Sequence, residues 1–251
     1  MKRSPVVTLA AAAFAGAVVN TGAVAQNPPP DRFALKAGNY YVRDSQTSAT
    51  ARPSDGAAGT DIEFERDLDG ERNANVPRVE GYFRFTPHHR IDFGWYRIER
   101  EGDTEIRRDL TFGDTTFSLG ADVESRIDTT IRKLAYTWSF HHNDELEIGA
   151  SLGIHYPEYS MELSTVQGSV SEEESFDAPL PVWGLLMDYS LTRRWHILAK
   201  GELFRIEQDG NFDGALTDLQ IQTEYRLRPN FAVGAGLSRL RLDGDVDNGD
   251  F

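Results

Sequence analysis

Cysteine is absent from the 251 residues, which excludes disulfide frameworks, thiolate nucleophiles and Cys-ligated zinc. Basic residues are also scarce. There are 26 Lys and Arg against 40 Asp and Glu, a formal net charge of −14. A protein that reads nucleic acid by neutralising phosphates needs the opposite balance. Apolar residues reach only 39%, low for an ordinary globular chain, yet 9 Tyr, 14 Phe and 4 Trp argue against disorder. Beyond residue 30 no run is long and apolar enough to make a membrane-spanning helix. Neither a nucleophile elbow nor a Gly-rich phosphate loop is found.

The chain opens with the pattern of an export signal. Lys2 and Arg3 supply a positive start, residues 6–19 are apolar, and Ala23-Val24-Ala25 fits the small-x-small cleavage rule. The apolar stretch is shorter than the roughly 20 residues a span needs. Gln26-Asn27-Pro28-Pro29-Pro30 then interrupts any helix. Residues 1–25 are expected to be a signal peptide, leaving 26–251 with Gln26 first. No Cys follows the cleavage point, so a lipoprotein is not expected. An exported chain without a spanning helix is either soluble outside the cytoplasm or a membrane β-barrel.

Period-2 alternation selects strands. In residues 146–156, Leu146, Ile148, Ala150, Leu152, Ile154 and Tyr156 share one face, and Glu147, Gly149, Ser151, Gly153 and His155 share the other. Residues 218–227 repeat the pattern, with Leu219, Ile221, Tyr225 and Leu227 opposite Asp218, Gln220, Gln222, Glu224 and Arg226. Nine strands are read, near 32–42, 78–86, 90–100, 126–140, 145–157, 181–191, 195–207, 215–228 and 231–242. Tight turns at 86–89, 141–144, 192–194 and 228–230 alternate with connections at 43–77, 101–125, 158–180 and 208–214, most of them long. In an up-and-down sheet this puts short turns at one end and long loops at the other, the asymmetry of outer-membrane barrels. Phe85, Phe140, Trp195, Tyr225 and Phe231 lie on the apolar parity near the turns, and Tyr41, Tyr156 and Trp183 lie near the loops. Two such bands suit two membrane interfaces. A soluble barrel with a charged exterior is the competing reading.

With Ala23-Val24-Ala25, the opening strand Phe33-Ala34-Leu35-Lys36-Ala37-Gly38 and the hairpin at 82–93, the chain resembles the small bacterial outer-membrane barrels of eight to ten strands. The resemblance implies an all-β, up-and-down antiparallel transmembrane β-barrel with short periplasmic turns and long external loops. It also implies a location in the outer membrane, contact with its lipids, and insertion by the barrel assembly machinery. Nine strands depart from the even number such barrels have. Two resolutions are open. A tenth strand lies beyond Phe251, favoured because Phe33 to Val42 alternates, or eight strands close the barrel.

Candidate chemistry is sparse. Asp44, Asp55, Asp61, Glu63, Glu65, Asp67, Asp69 and Glu71 crowd one loop, and Glu172-Glu173-Glu174 another. Loop carboxylates of this kind can gather divalent cations, although a solvated exterior explains them more simply. Asp243-x-Asp245-x-Asp247 lacks the Gly position and the final Glu of a calcium loop. His155 is well inside a strand with Ser151 on its face, but four residues along a strand is about 13 Å, beyond hydrogen-bond reach. No cofactor and no catalytic or metal residues are assigned.

The polar parity is more informative. It carries Lys36, Glu80, Arg84, Asp92, Lys133, Glu147, Asp188, Lys200, Glu202, Asp218, Glu224 and Arg226. Seven acids and five bases in a narrow lumen are expected to pair into a plug, with any conductance small and weakly cation-selective. The expected function is non-enzymatic, either structural or slow passage of small solutes. A surface interaction protein using its acidic loops for cations, lipid headgroups or a partner is the alternative. A lipid-modifying or proteolytic barrel comes third.

Overall fold

The computed structural model describes residues 6–20, 32–50, 60–168, 170–208 and 212–246. Its elements are β1 (Val6–Asn20), β2 (Phe33–Gln46), β3 (Ser48–Thr50), β4 (Asp61–Glu63), the one-turn helix α1 (Phe64–Asp67), β5 (Ala74–Thr86), β6 (His89–Glu105), β7 (Leu110–Phe112), β8 (Thr115–Phe117), β9 (Asp122–His142), β10 (Leu146–Thr165), β11 (Ser171–Asp177), β12 (Leu180–Ser190), β13 (Trp195–Gln208), β14 (Phe212–Arg228) and β15 (Phe231–Val246). Ten of them form one ring, β10-β12-β13-β14-β15-β1-β2-β5-β6-β9, which closes where β9 pairs with β10. Each of these pairings is antiparallel. The fold is an up-and-down β-barrel. The tight turns β5–β6, β9–β10, β12–β13 and β14–β15 all lie at one end.

Nine wall strands are those the alternation selects. The tenth is β1, the apolar stretch of the signal-like segment. It lies between β15 and β2, antiparallel to both, with register breaks against each. Its sequence, VVTLAAAAFAGAVVN, is apolar at both parities, unlike the other long strands. Because β2 and β15 are each antiparallel to β1, they are parallel to one another. Cleavage after Ala25 would take β1 out of the wall and leave those two edges facing across the vacated place.

Outward side chains settle which face is lipid-like. Leu152 is 68% exposed, Leu134 59% and Trp183 57%. A water-soluble barrel would bury these residues, so its charged-exterior reading is excluded for this part of the wall. Aromatic rings flank the belt. Phe83, Phe85, Trp138, Phe140, Tyr189 and Trp195 stand exposed toward the turns, and Tyr41, Trp95 and Trp183 toward the loops. This is the surface of a membrane-spanning barrel.

Above the belt the polarity reverses. On β9, Leu134, Tyr136, Trp138 and Phe140 point out, but nearer the loops Arg126, Asp128 and Arg132 do, while Val123, Ile127 and Ile131 are buried within. On β10 the outward series changes from Leu152 and Ile154 to Glu158, Ser160 and Glu162, with Met161 and Leu163 buried inside. The outward charges pair across strands as Arg97–Asp128, Arg126–Glu101 and Arg132–Glu158. The taller part of the wall is thus built like a soluble protein.

This reversal corrects two expected loops. Residues 101–105 and 122–125 are strand, as are 158–165 and 171–177. The β10–β11 hairpin is continuous with the wall, because β11 and β12 pair in succession with the same edge of β10 and are separated by Ala178-Pro179. Proline has no N–H to give the ladder, which explains the break. The acidic run after Leu242 is also strand as far as Val246, so Asp243 and Asp245 belong to β15 and not to a calcium loop. Asp247 and the terminal Phe251 lie outside the described residues, as does Asp55.

The connections at the tall end fold onto a core of their own. Ile62, Phe64, Leu68, Ile106, Leu110, Phe112, Phe117, Val123, Ile127, Met161 and Leu163 form one buried apolar cluster. Arg100 is buried beside it, bonded to Glu65 at 2.6 Å and to Thr47. Arg108 reaches across to the Asp61 carbonyl and to Asp67, each at 3.0 Å. These loops make a packed head above the belt.

Candidate functional site

The lumen is filled in layers. Nearest the turns, Arg84 donates to both oxygens of Glu147 at 2.8 Å. Arg90 bridges Asp92 at 3.1 Å and Glu147 at 3.5 Å, and lies 4.6 Å over the Tyr82 ring. Ser139 and Thr137 donate to Glu147 and Asp92. Alternation aims these side chains inward, and the rings of Tyr82, Tyr40 and Tyr96 give the guanidinium groups flat surfaces to stack on.

Above this layer is a polar cavity of about 70 Å³, room for a few water molecules. Lys36, Glu80, Asp92, Asp188, His196, Lys200, Glu224 and Arg226 line it. Lys36 pairs with Glu224. His196 Nδ1 is 3.1 Å from Ser190 Oγ and 3.7 Å from Asp188 Oδ1, and its Nε2 is buried without a hydrogen-bond partner. A serine and a carboxylate on the same ring nitrogen do not form a nucleophile–base–carboxylate relay, which needs them on opposite nitrogens.

Next comes a tightly paired layer. Lys133 pairs with Asp218 and lies 3.4 Å from Glu202. Lys200 meets Glu202 at 3.0 Å, and His155 Nε2 lies 3.1 Å from the same carboxylate. Arg78 pairs with Glu80, and Gln220 and Gln222 both donate to the Tyr40 hydroxyl, at 2.7 and 2.8 Å. Glu202 reaches this position past Gly184, where a Cβ would meet Glu202 Cγ at 3.0 Å and the Gly201 carbonyl at 2.6 Å. His155, Glu202 and Asp218 hold ligand atoms within 4.8 Å of one another, a donor set that suits a divalent metal. The Lys133 ammonium contacts both carboxylates, so the chain's own cation supplies the charge there. A buried apolar cluster of Tyr40, Val42, Val76, Tyr96, Ile98, Ile131, Leu180, Val182, Leu216 and Leu240 lies next to this layer.

All twelve residues assigned to the polar parity line this interior, and the ring joins partners that are far apart in sequence. Two bases were missed. Arg78 and Arg90 are 5% and 3% exposed and share the parity of Glu80 and Asp92, a signal available at the strand ends. With them the described lumen side chains number seven bases and seven acids, so the acidic excess behind the expected cation selectivity is not seen among the described residues. The loop acids are partly committed as well: Glu65 to Arg100, Glu63 to Arg66, Asp67 to Arg66 and Arg108, and Glu172 to the Thr115 hydroxyl at 2.6 Å.

No family model and no curated protein matches the chain. Solved structures it is similar to are outer-membrane barrels. Ail, the attachment invasion locus protein of Yersinia pestis, was solved with a heparin analogue and is 9% identical, with a TM-score of 0.37 over 97% of this chain and 100% of that one. The outer-membrane protease OmpT of Escherichia coli is 10% identical, with a TM-score of 0.41 over 96% and 94%. OprG of Pseudomonas aeruginosa is 9% identical, with a TM-score of 0.36 over 97% and 95%. At these values none of them lends this chain an activity.

Proposed function

We propose that the protein is a non-enzymatic outer-membrane barrel with a sealed lumen, whose role is to anchor and present the packed head. The observation that carries this is the balanced interior. Lys36, Arg84 and Lys133 pair with Glu224, Glu147 and Asp218 across strands, Arg78 and Arg90 pair with Glu80 and Asp92 along their own strands, and an apolar cluster adjoins them. An ion crossing would have to break buried pairs and then pass a dry layer, each costly in low dielectric. The outward belt and its aromatic flanks support residence in a bilayer, and the signal-like start supports export to the outer membrane. Outer-membrane lipids contact the belt, and the assembly machinery inserts it.

Planar-bilayer recording tests the reading. The purified protein should show no steady current at neutral pH and moderate salt. Large, persistent porin-like steps would overturn it and put solute passage first. Lys133→Met, which removes the ammonium between Glu202 and Asp218, should produce flickering current if the plug is what seals the pore.

A further inference from the structure

We propose that the outer edge of β11 is an acceptor for an extended lysine- or arginine-rich segment of another polypeptide, which adds to the head as one more strand. The inference deepens the reading of the head as the presented part, and it rests on that reading.

The wall is uneven at its tall end. β10 continues past β12, and β11 follows it upward from Glu158↔Asp177 to Ser164↔Ser171. β13 pairs with β12 only as far as Trp183↔Leu203. Among the described residues no strand lies beside residues 171–175 on the side away from β10. The other tall edge, on β6, is treated differently. There the loop before β5 covers it, with Glu71 N–H donating to the Glu101 carbonyl at 2.9 Å and Arg100 held by Glu65. Edge strands left bare offer a row of backbone donors and acceptors to any extended chain.

Charge decides which chain fits. Between Lys133 and Arg193 the sequence has no lysine or arginine. Glu172, Glu173 and Glu174 are consecutive on the edge strand, and Glu158, Glu162 and Asp177 lie on or beside it. Burial first, and then the charges of Glu172 and Asp114, hold the Glu174 carboxyl above its usual range. A second copy of β11 would set Glu against Glu, which disfavours self-pairing. Alternate residues of β11 point to opposite sides, so a strand with basic side chains meets Glu173 on one face and, on the other, Glu172 and Glu174, against which the β7–β8 turn at Gly113–Thr115 also packs.

The test uses the full chain in lipid nanodiscs and the synthetic peptide (Lys-Thr)5. Controls are (Glu-Thr)5 and a (Lys-Thr)5 methylated on alternate backbone nitrogens. The lysine peptide should bind and slow amide exchange at residues 171–175. The glutamate peptide should not bind, and backbone methylation should weaken binding at least tenfold. Glu172→Gln/Glu173→Gln/Glu174→Gln should weaken it similarly while the current-free bilayer record stays unchanged, which separates failure here from failure of the sealed-lumen reading. Equal binding of the methylated peptide would reduce the contact to diffuse attraction and overturn the proposal. So would absence of binding, protection by calcium alone, or protection that grows with protein concentration without peptide.

Discussion

Lys133 sits between two buried carboxylates, and both depend on it. Its side chain is 7% exposed, and those of Glu202 and Asp218 are each 3% exposed. Removing one member of a buried pair strands the other charge, at a cost of about 3–5 kcal/mol. Lys133→Ala should destabilise folding into lipid vesicles by that order, read from urea titration. Arg97→Ala, which breaks the exposed pair with Asp128, should be nearly silent in the same assay. Equal effects would mean that the lumen is wetter than the packing implies. Acidification acts on the head through two carboxylates whose pKa values are shifted in opposite directions. Burial raises the Asp67 pKa, but bonds from Arg66 and the Glu63 N–H and the charge of Arg108 outweigh it and hold the group below its ordinary 3.8. Asp67 therefore contributes stability above pH ~4, lost as pH falls through its folded value. Glu174 is raised above its ordinary 4.5, so its ionisation opposes the folded head and its contribution improves as pH falls. Amide protection factors between pH 6 and 3 should fall around α1 and hold or rise along β11. A uniform loss would remove the distinction.

β10 contains the membrane boundary within one element. Its outward positions are apolar from Ile148 to Ile154 and polar from Glu158 to Glu162. Leu152→Arg puts a charge at the middle of the belt and should cost about 2–4 kcal/mol, while Ser160→Arg, above the belt, should cost about 0–1 kcal/mol. Vesicle folding measures both, and similar values would mean that the belt continues to Ser160. The inner face has the opposite order. Leu163, fully buried in the head core, should cost about 2–5 kcal/mol on change to Ala. One strand thus obeys membrane rules at one end and soluble-protein rules at the other.

The ring as a whole depends on its seam. β1 fills it with a segment whose sequence also reads as a removable export signal. Ala37 and Val233 both pair with Ala17, so their strands are two spacings apart, roughly 9.6 Å. Cysteines at those two positions should not oxidise to a disulfide, which needs Cα atoms within about 7 Å. An open edge in hydrocarbon is too costly to persist, so a strand is expected to hold that place. Ready oxidation of Ala37→Cys/Val233→Cys would show β2 and β15 closing directly. N-terminal sequencing of the same membrane-extracted material checks the expected start at Gln26, which would mean that a strand other than β1 holds the place.

Alternation along single strands was enough to establish the all-β class, nine of the ten wall strands, the short-turn end and the inward parity of Lys36, Glu80, Glu202 and Glu224. Those properties are local, because a side chain's face follows from the residue before it. The upper strands were harder to read, since 122–131 and 158–163 alternate in the reverse sense and resemble acidic loop when one polarity rule is applied throughout. Arg78 and Arg90 were legible by parity and lost only at segment ends. Pairing was not legible. Lys133 meets Asp218 across 85 residues, and His155 meets Glu202 across 47. The first contact exists because ten strands close into a ring narrow enough for distant strands to touch, and the second because β13 lies two strands from β10 with Gly184 between them. The pairing of charges from different strands and, among the described residues, the edge position of β11 follow from that closure and from the unequal heights of the strands, which no single segment specifies.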